Sequence, residues 1–475
     1  MKLYFLGANR QVTGSRYVLE AAGLRILIDC GLFQERPYQH RNWEPSPVPP
    51  GDIDVMLLTH AHLDHCGLIP KLVREGFRGP IYCTEPTVSL SGIILQDSAE
   101  IQAEDVAYKQ KRHARERRTG DHPAVALYSE DDVDRCLAQF RGVGYRQPVR
   151  LGPNVSATFY DAGHILGSAM VEIVVNEQDG TPSRILFSGD IGQWNKPIIH
   201  DPTLFRQADY VVMESTYGDR NHQDGGDIET ELARVIHDTA SRGGNVVIPT
   251  FAVERAQELM WYISRLVHAD RIPDLPIYLD SPMSVDVTGI FAKFRNYFDQ
   301  ETWQLIQSHE SPLKFPGLRF AHTVEESKAI NRGKGTAIIM ASSGMCTAGR
   351  IKHHLRANLG RPESTVLFVG YQSAGTLGRQ ILDGQHFVRI HGEMIKVKAH
   401  VEQIFGFSGH ADQTALLRWL QNLKQPPKRV FLTHGEEDAS FHLANHIQHV
   451  LGWPVIVPVY QEAIELDASS PSSPG

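Results

Sequence analysis

The chain has 475 residues, 41% hydrophobic and 21% charged, with a formal net charge of −8. That length calls for two or more cores, and the acidic balance supplies no global pull toward nucleic acid or anionic lipid. Five widely spaced cysteines without a Cys-x-x-Cys exclude a disulfide scaffold, and no run of about 20 apolar residues offers a membrane span.

Reduced thiols and an N-terminal "MKLYFLGANRQVTGS" that reads as neither leader nor anchor fit a cytoplasmic protein. Any polyanionic substrate would need a local positive source, either a bound metal or a Lys/Arg cluster. "KLYFLG" and "SRYVLEAAGLRILIDCG" read as short strands joined by tight turns. "VMLLTH", ending at His60, is a buried strand, and "GLIPKLVREG" after it is a helix. "GPIYCT", "SATFYDAG" and "SRILFSGDIG" are further strands, so the first part is a layered α/β domain. From Asp97 to about Gly120 the sequence turns helical and charged. Within it "KQKRHARERR" suits either a phosphate backbone or a solvated helix face.

From about Asp209 the pattern changes. "ADYVVMESTYGDR" is a strand ending at Glu214, and "GGNVVIPTFAVERAQEL", "LPIYLDSPMS", "GTAIIMASSGM" and "STVLFVGYQSAGTLGR" each run strand, turn, helix, as in a parallel sheet. Ligands bind such sheets at the carboxyl ends of the strands. After about Lys396 come "VEQIFGFSGHAD", a helix and "RVFLTHGEED". A Ser/Pro-rich tail, 467–475, is expected to be disordered.

The densest chemistry is "THAHLDH". His60, His62, Asp64 and His65 put four metal-type side chains into six positions where a strand meets a helix. A loop there can turn several of them inward. Imidazole and carboxylate suit zinc, with manganese or iron as looser options. Four ligands do not complete two adjacent sites. His164 in "AGHILGS", Asp190 in "SGDIG" and His434 in "FLTHGEE" are candidates for the rest, each at a strand exit or in a Gly-rich turn. One histidine among 23 is ordinarily a surface or hydrogen-bonded residue, so the three remain candidates on residue type alone. Asp29, at another strand exit, suits holding a ligand in place better than being one. Cys30 and Cys66 read as small buried side chains rather than soft ligands.

"LIDCG", "THAHLDH", "AGHILGS" and "SGD", in this order, resemble the metallo-β-lactamase fold. "MESTYGDR", "FSGHAD" and "LTHGEE" resemble its β-CASP branch, the nucleases of RNA processing. The likeness is to a bacterial-type relative of the cleavage-and-polyadenylation endonuclease and, more distantly, to RNase J. It implies a four-layered αββα fold whose first part, 1–208, and second part, 396–466, enclose an inserted parallel-sheet β-CASP domain at 209–395. It implies two Zn2+, one held by His60, His62 and His164, the other by Asp64, His65 and His434, with Asp190 between them. Asp64, Glu214 and His410 would be catalytic, with His410 protonating the departing ribose oxygen. His391 and His400 precede the expected motif and are read as decoys.

The implied reaction is hydrolysis of RNA by a metal-bridging hydroxide, leaving 5′ phosphate and 3′ hydroxyl, and cutting internally rather than from an end. His434 favours RNA over DNA, because the DNA-specific relatives lack a histidine there. Single-stranded RNA is the expected partner, homo-oligomerisation is compatible, and no membrane is involved. The family likeness places the substrate between the domains. Backbone N–H groups of Ser343, Gly344, Tyr371 and Gln372, with Arg255, Arg379 and Lys352, are candidate substrate contacts. The rival readings are a DNA nuclease of the same fold, a non-catalytic RNA-binding scaffold and a small-molecule metallohydrolase.

Overall fold

The computed structural model describes residues 1–116, 125–176, 181–223, 226–333, 335–373 and 375–466. The tail at 467–475 and part of the basic run lie outside the described residues. As far as it is described, that run continues a helix, Glu85–Glu116. The chain forms two units: Met1–Trp194 with Asp201–Asn221 and His410–Gly475, and Asn195–His200 with His222–Gly409.

In the first unit, one seven-stranded sheet has the order Glu462–Glu465, Lys2–Gly7, Arg16–Ala21, Leu24–Ile28, Val55–Leu57, Ile81–Thr84, Phe140–Val143. The other has Val455–Ile456, Arg429–Thr433, Tyr210–Glu214, Pro182–Phe187, Ala169–Asn176, Val155–Asp161, Pro148–Gly152. Side chains alternate across a strand, and here the alternation sorts two cores. Tyr210 and Val212 join Phe5, Phe159, Phe187 and Phe431 between the sheets. Val211 and Met213 join Leu416, Trp419, Leu443 and Ile447 under the outer helices. Strands buried on both faces read as continuous apolar runs. Each phenylalanine buried between the sheets contributes about 1.5–3 kcal/mol. Helices Ile69–Arg74, Glu85–Glu116 and Glu130–Leu137 pack together beside the first sheet. The layers are therefore αββα, as the sequence motifs imply.

The second unit holds a six-stranded sheet with the order Leu318–Phe320, Ile277–Leu279, Ile338–Ala341, Val246–Pro249, Thr365–Phe368, His400–Gln403. All its pairings are parallel. The seams lie elsewhere than 209 and 396. Tyr210–Glu214 was expected to open the inserted domain, but it pairs in parallel with Pro182–Phe187 and Arg429–Thr433 in the first unit. His400–Gln403 was expected in the returning segment, but it is the edge strand beside Thr365–Phe368. Both are short apolar strands, and pattern alone does not say which sheet a strand joins. Asn195–His200 also visits the second unit, where the Ile198 N–H donates to Thr302 Oγ1 at 3.1 Å.

Among the described residues, no helix is long and apolar enough to cross a membrane. All five cysteines are free and buried.

Candidate metal centre

The site is built in the first unit, from loops that leave neighbouring strands. The chain leaves the strand Val55–Leu57 through His60, and His62, itself extended, precedes the short helix Leu63–Cys66. That puts Asp64 and His65 in its first turn. The turn after Leu24–Ile28 presses against this helix. A side chain on Gly31 would place its first carbon 1.7 Å from the Asp64 carbonyl oxygen, and only glycine permits that approach.

Asp29 sits behind the loop. Its carboxylate accepts the Thr59 N–H at 2.8 Å and the Thr59 hydroxyl at 2.9 Å, and its Oδ2 lies 2.7 Å from His65 Nδ1. A carboxylate on Nδ1 fixes the ring and leaves Nε2 facing the site. His164 is set by the turn after Val155–Asp161, where Ser168 Oγ accepts the His164 N–H at 3.1 Å. Asp190 follows Pro182–Phe187 through Gly189, which is left-handed at φ 54°. His434 follows Arg429–Thr433, itself left-handed at φ 50°. For a non-glycine residue that conformation costs about 1–2 kcal/mol. The Ala8 carbonyl holds the His434 N–H at 2.8 Å and Thr216 Oγ1 lies 3.1 Å from Nδ1, so Nε2 points inward.

The ring nitrogens converge. His60 Nε2 lies 3.1 Å from His62 Nδ1, which lies 3.2 Å from His164 Nε2. His65 Nε2 lies 3.1 Å from His434 Nε2, which lies 3.3 Å from Asp64 Oδ2. The Asp190 carboxylate spans the two groups. Oδ2 is 3.5 Å from both His60 Nε2 and His164 Nε2, whereas Oδ1 is 3.2 Å from His65 Nε2 and 3.5 Å from His434 Nε2. His60, His62, His164 and Asp190 thus form one set that could hold a cation, and Asp64, His65 and His434 another.

The fit of a cation rests on what the side chains lack. Asp190 Oδ1 is buried without a hydrogen bond, and imidazole nitrogens facing one another at 3.1–3.2 Å cannot all be satisfied by protons. A buried unpaired carboxylate oxygen is costly, and divalent ions remove that cost. Protonation divides the two sets. Burial would raise the Asp190 carboxyl, but the imidazoles of His434, His65 and His60 outweigh it and hold the group well below the carboxylate range. Asp64 is also held low, with His434 and His65 outweighing its burial. Burial and the neighbouring His65 drive His60 well down, and burial lowers His62. Burial would lower His65 and His434 too, but Asp190 foremost outweighs it and raises both, so these two rings must give up a proton to reach the neutral form that binds metal.

Beside this cluster, Glu214 ends Tyr210–Glu214. Its Oε1 accepts the Ile191 N–H at 2.5 Å and faces His410 Nδ1 at 3.3 Å, while its Oε2 is buried without a partner. His410 also lies 3.9 Å from Asp190 Oδ2 through the same nitrogen. Burial would lower His410, but Glu214 foremost, then Asp190 and Asp64, pushes it up to about 9.

The other sequence candidates lie in the second unit. Arg255 donates to the Val369 carbonyl at 2.6 Å and pairs with Glu258, so it is committed to holding a loop. Gln372 is buried and donates to the Gly344 carbonyl at 3.0 Å. Ser343 Oγ accepts the Thr347 N–H at 3.1 Å. Arg379 is bonded to Asp383 at 2.8 Å, and Tyr371 is exposed. His391 stacks on His353, His400 is in the edge strand, and neither joins a cation-type cluster among the described residues. Sequence reading missed Thr59 and Thr216. The signal for Thr59 was the repeated Leu-Thr-His, in which Thr433 also bonds inward, to Tyr17 at 2.9 Å. Thr216 carried no such signal.

Three family models match the chain: a metallo-beta-lactamase superfamily domain over residues 18–195, a Beta-Casp domain over 256–381, and a Zn-dependent metallo-hydrolase RNA specificity domain over 394–458. Ribonuclease TTHA0252 of Thermus thermophilus is 41% identical over 92% of this chain and 94% of its own length. Transcription termination factor FttA of Methanosarcina mazei is 33% identical, covering 93% and 68% respectively. A crystal structure of a protein of unknown function from Enterococcus faecalis V583 superposes with a TM-score of 0.56. It shares 11% identity over 98% of this chain and 99% of that one, a likeness of fold alone.

Proposed function

For a chain that belongs to the β-CASP ribonucleases of the metallo-β-lactamase fold, we propose zinc-dependent, internal cleavage of single-stranded RNA that leaves 5′ phosphate and 3′ hydroxyl ends. The observation that carries it is the Asp190 carboxylate stretched between two histidine groups, with one oxygen lacking a hydrogen bond. His60, His62 and His164 would hold one zinc; Asp64, His65 and His434 a second; Asp190 would touch both. When bound, such ions lower the pKa of water to about 7 and offset charge on phosphoryl oxygens.

The protein's own part is positioning and proton transfer. Asp29 and Thr216 lock the rings of His65 and His434 from behind. Glu214 accepts the Nδ1–H of His410 and stabilises its charged ring, which leaves the Nε2 proton to go to the departing ribose oxygen. Asp64, in the helix turn beside His65, orients the attacking water. Ser343, Gly344, Tyr371 and Arg379 remain proposed substrate contacts, and the cytoplasm is the proposed location.

The test is to incubate zinc-loaded protein with end-labelled single-stranded RNA and matched DNA. Internal RNA fragments with 5′ phosphates are expected. Preferential DNA cutting, terminal mononucleotides only, or a cyclic 2′,3′ phosphate would each overturn the corresponding part.

A further inference from the structure

In the second unit, three neighbouring strands of the parallel sheet are Val246–Pro249, Thr365–Phe368 and His400–Gln403. Val246 pairs with Thr365, and Thr365 with His400. Past the strand ends the exits stay neighbours, because the Ile404 N–H donates to the Phe368 carbonyl at 2.9 Å and Arg255 donates to the Val369 carbonyl at 2.6 Å, and they carry Phe251, Tyr371 and Phe405. Adjacent strands lie about 4.8 Å apart, so each of three neighbouring exits carries an aromatic residue.

All three rings are turned to water: Phe251 is 43% exposed, Tyr371 56% and Phe405 39%. The loops beneath are braced. Gln372 donates to the Gly344 carbonyl, a side chain on Gly344 would meet the Phe251 ring at 2.8 Å, and Arg255 holds the Val369 carbonyl. Nothing in packing asks for three exposed aromatics on a braced rim, and clustered exposed apolar surface marks a binding site.

On the reading that the substrate is single-stranded RNA, we propose that Phe251, Tyr371 and Phe405 form a platform on which successive unpaired bases stack. The occupant follows from chemistry. Phenyl and phenol faces offer a base its stacking partner, and such stacking tolerates any sequence. One cation lies at hand for the accompanying phosphates. Arg379 lies near Tyr371, with 43% of its side chain exposed in its pair with Asp383. A duplex, whose bases are already stacked on one another, would not fit such a platform.

The experiment measures binding to the full chain, in chelator so that no cleavage occurs, by fluorescence anisotropy. The probes are a labelled single-stranded oligoribonucleotide, an abasic strand of equal length and an RNA duplex. Wild type should bind the single strand best. Y371A, F251A and F405A should each weaken that binding about five- to hundredfold, while the abasic strand is bound equally by all. Y371W should restore affinity, which a merely unfolded loop would not allow. Equal losses for base-bearing and abasic strands, unchanged affinity in all three variants, or dissociation of a wild-type oligomer by these substitutions would overturn the platform. Absence of any RNA binding by wild type would instead remove the ribonuclease reading on which it rests.

Discussion

Asp190 and Asp280 are both buried carboxylates just past the end of a strand, and both face histidine. Asp280, in the second unit, is complete. Arg350 donates to Oδ1 at 2.7 Å, Ser327 donates to Oδ2 at 2.5 Å, and His354 Nε2 lies 2.6 Å from Oδ2. The far nitrogen of His354 lies 3.0 Å from Asn331 Oδ1. Asp190, in the first unit, has four imidazole nitrogens at 3.2–3.5 Å and an oxygen with no hydrogen bond. A carboxylate–histidine cluster whose partners saturate one another is structural. One whose lone pairs converge without saturation is arranged for an ion. Residue type does not separate the two cases, but the tally of donors and acceptors does.

The comparison is tested most severely at Asp190. Asp190→Asn should lower RNA cleavage by at least about a thousandfold, judged against the typical cost of losing a charge-stabilising group. It should also reduce bound metal, measured by plasma emission on the purified protein. Full metal content in this variant would break the contrast with Asp280. Next in size is His410→Ala, expected to cost about a hundred- to ten-thousandfold in turnover with metal content unchanged. A parallel fall in metal would make His410 a ligand rather than the proton donor.

Asp280→Asn should behave the other way. Removing one partner from a buried charge pair costs about 3–5 kcal/mol, which urea unfolding would read, while bound metal stays at the wild-type level. A smaller effect comes with acid. Burial would raise the Asp280 carboxyl, but His354, Ser327 and Arg350 outweigh it and hold it below the usual range. Its contribution is therefore present above the unfolded carboxylate pKa of about 4 and is lost as pH falls toward the folded value. The midpoint of thermal unfolding should drop below about pH 4, and D280N should flatten that drop. An unaltered slope would assign it to other carboxylates. Last, Arg379→Ala breaks only a solvent-facing i,i+4 pair with Asp383 and should leave the melting temperature where it was. A marked shift would mean Arg379 supports its loop.

Much of the first unit's site was legible because the strand exits are written locally. "THAHLDH" and "FLTHGEE" each end an apolar run in a polar turn, and the structure places His60 and His434 at such exits. Glu214 was legible as a strand's last residue, but its sheet was not. Tyr210–Glu214 looks like any strand of the second unit, yet it pairs with Arg429–Thr433 in the first. Arg255 shows the opposite limit. Its charge and its place after a strand suggested a phosphate contact, whereas its guanidinium is taken up by Val369 and Glu258.

The sequence by itself determined which side chains are of metal-binding type and that they sit in turns, because ligand type, apolar runs and glycine are local properties. The tertiary structure decided which turns meet, since strand pairing between residues hundreds apart is set by the burial of whole sheets. It also decided which histidines stay unsaturated. His354 and His65 are the same residue beside the same kind of carboxylate. Only the three-dimensional count of partners makes one a fastener and leaves the other with a nitrogen turned toward Asp190.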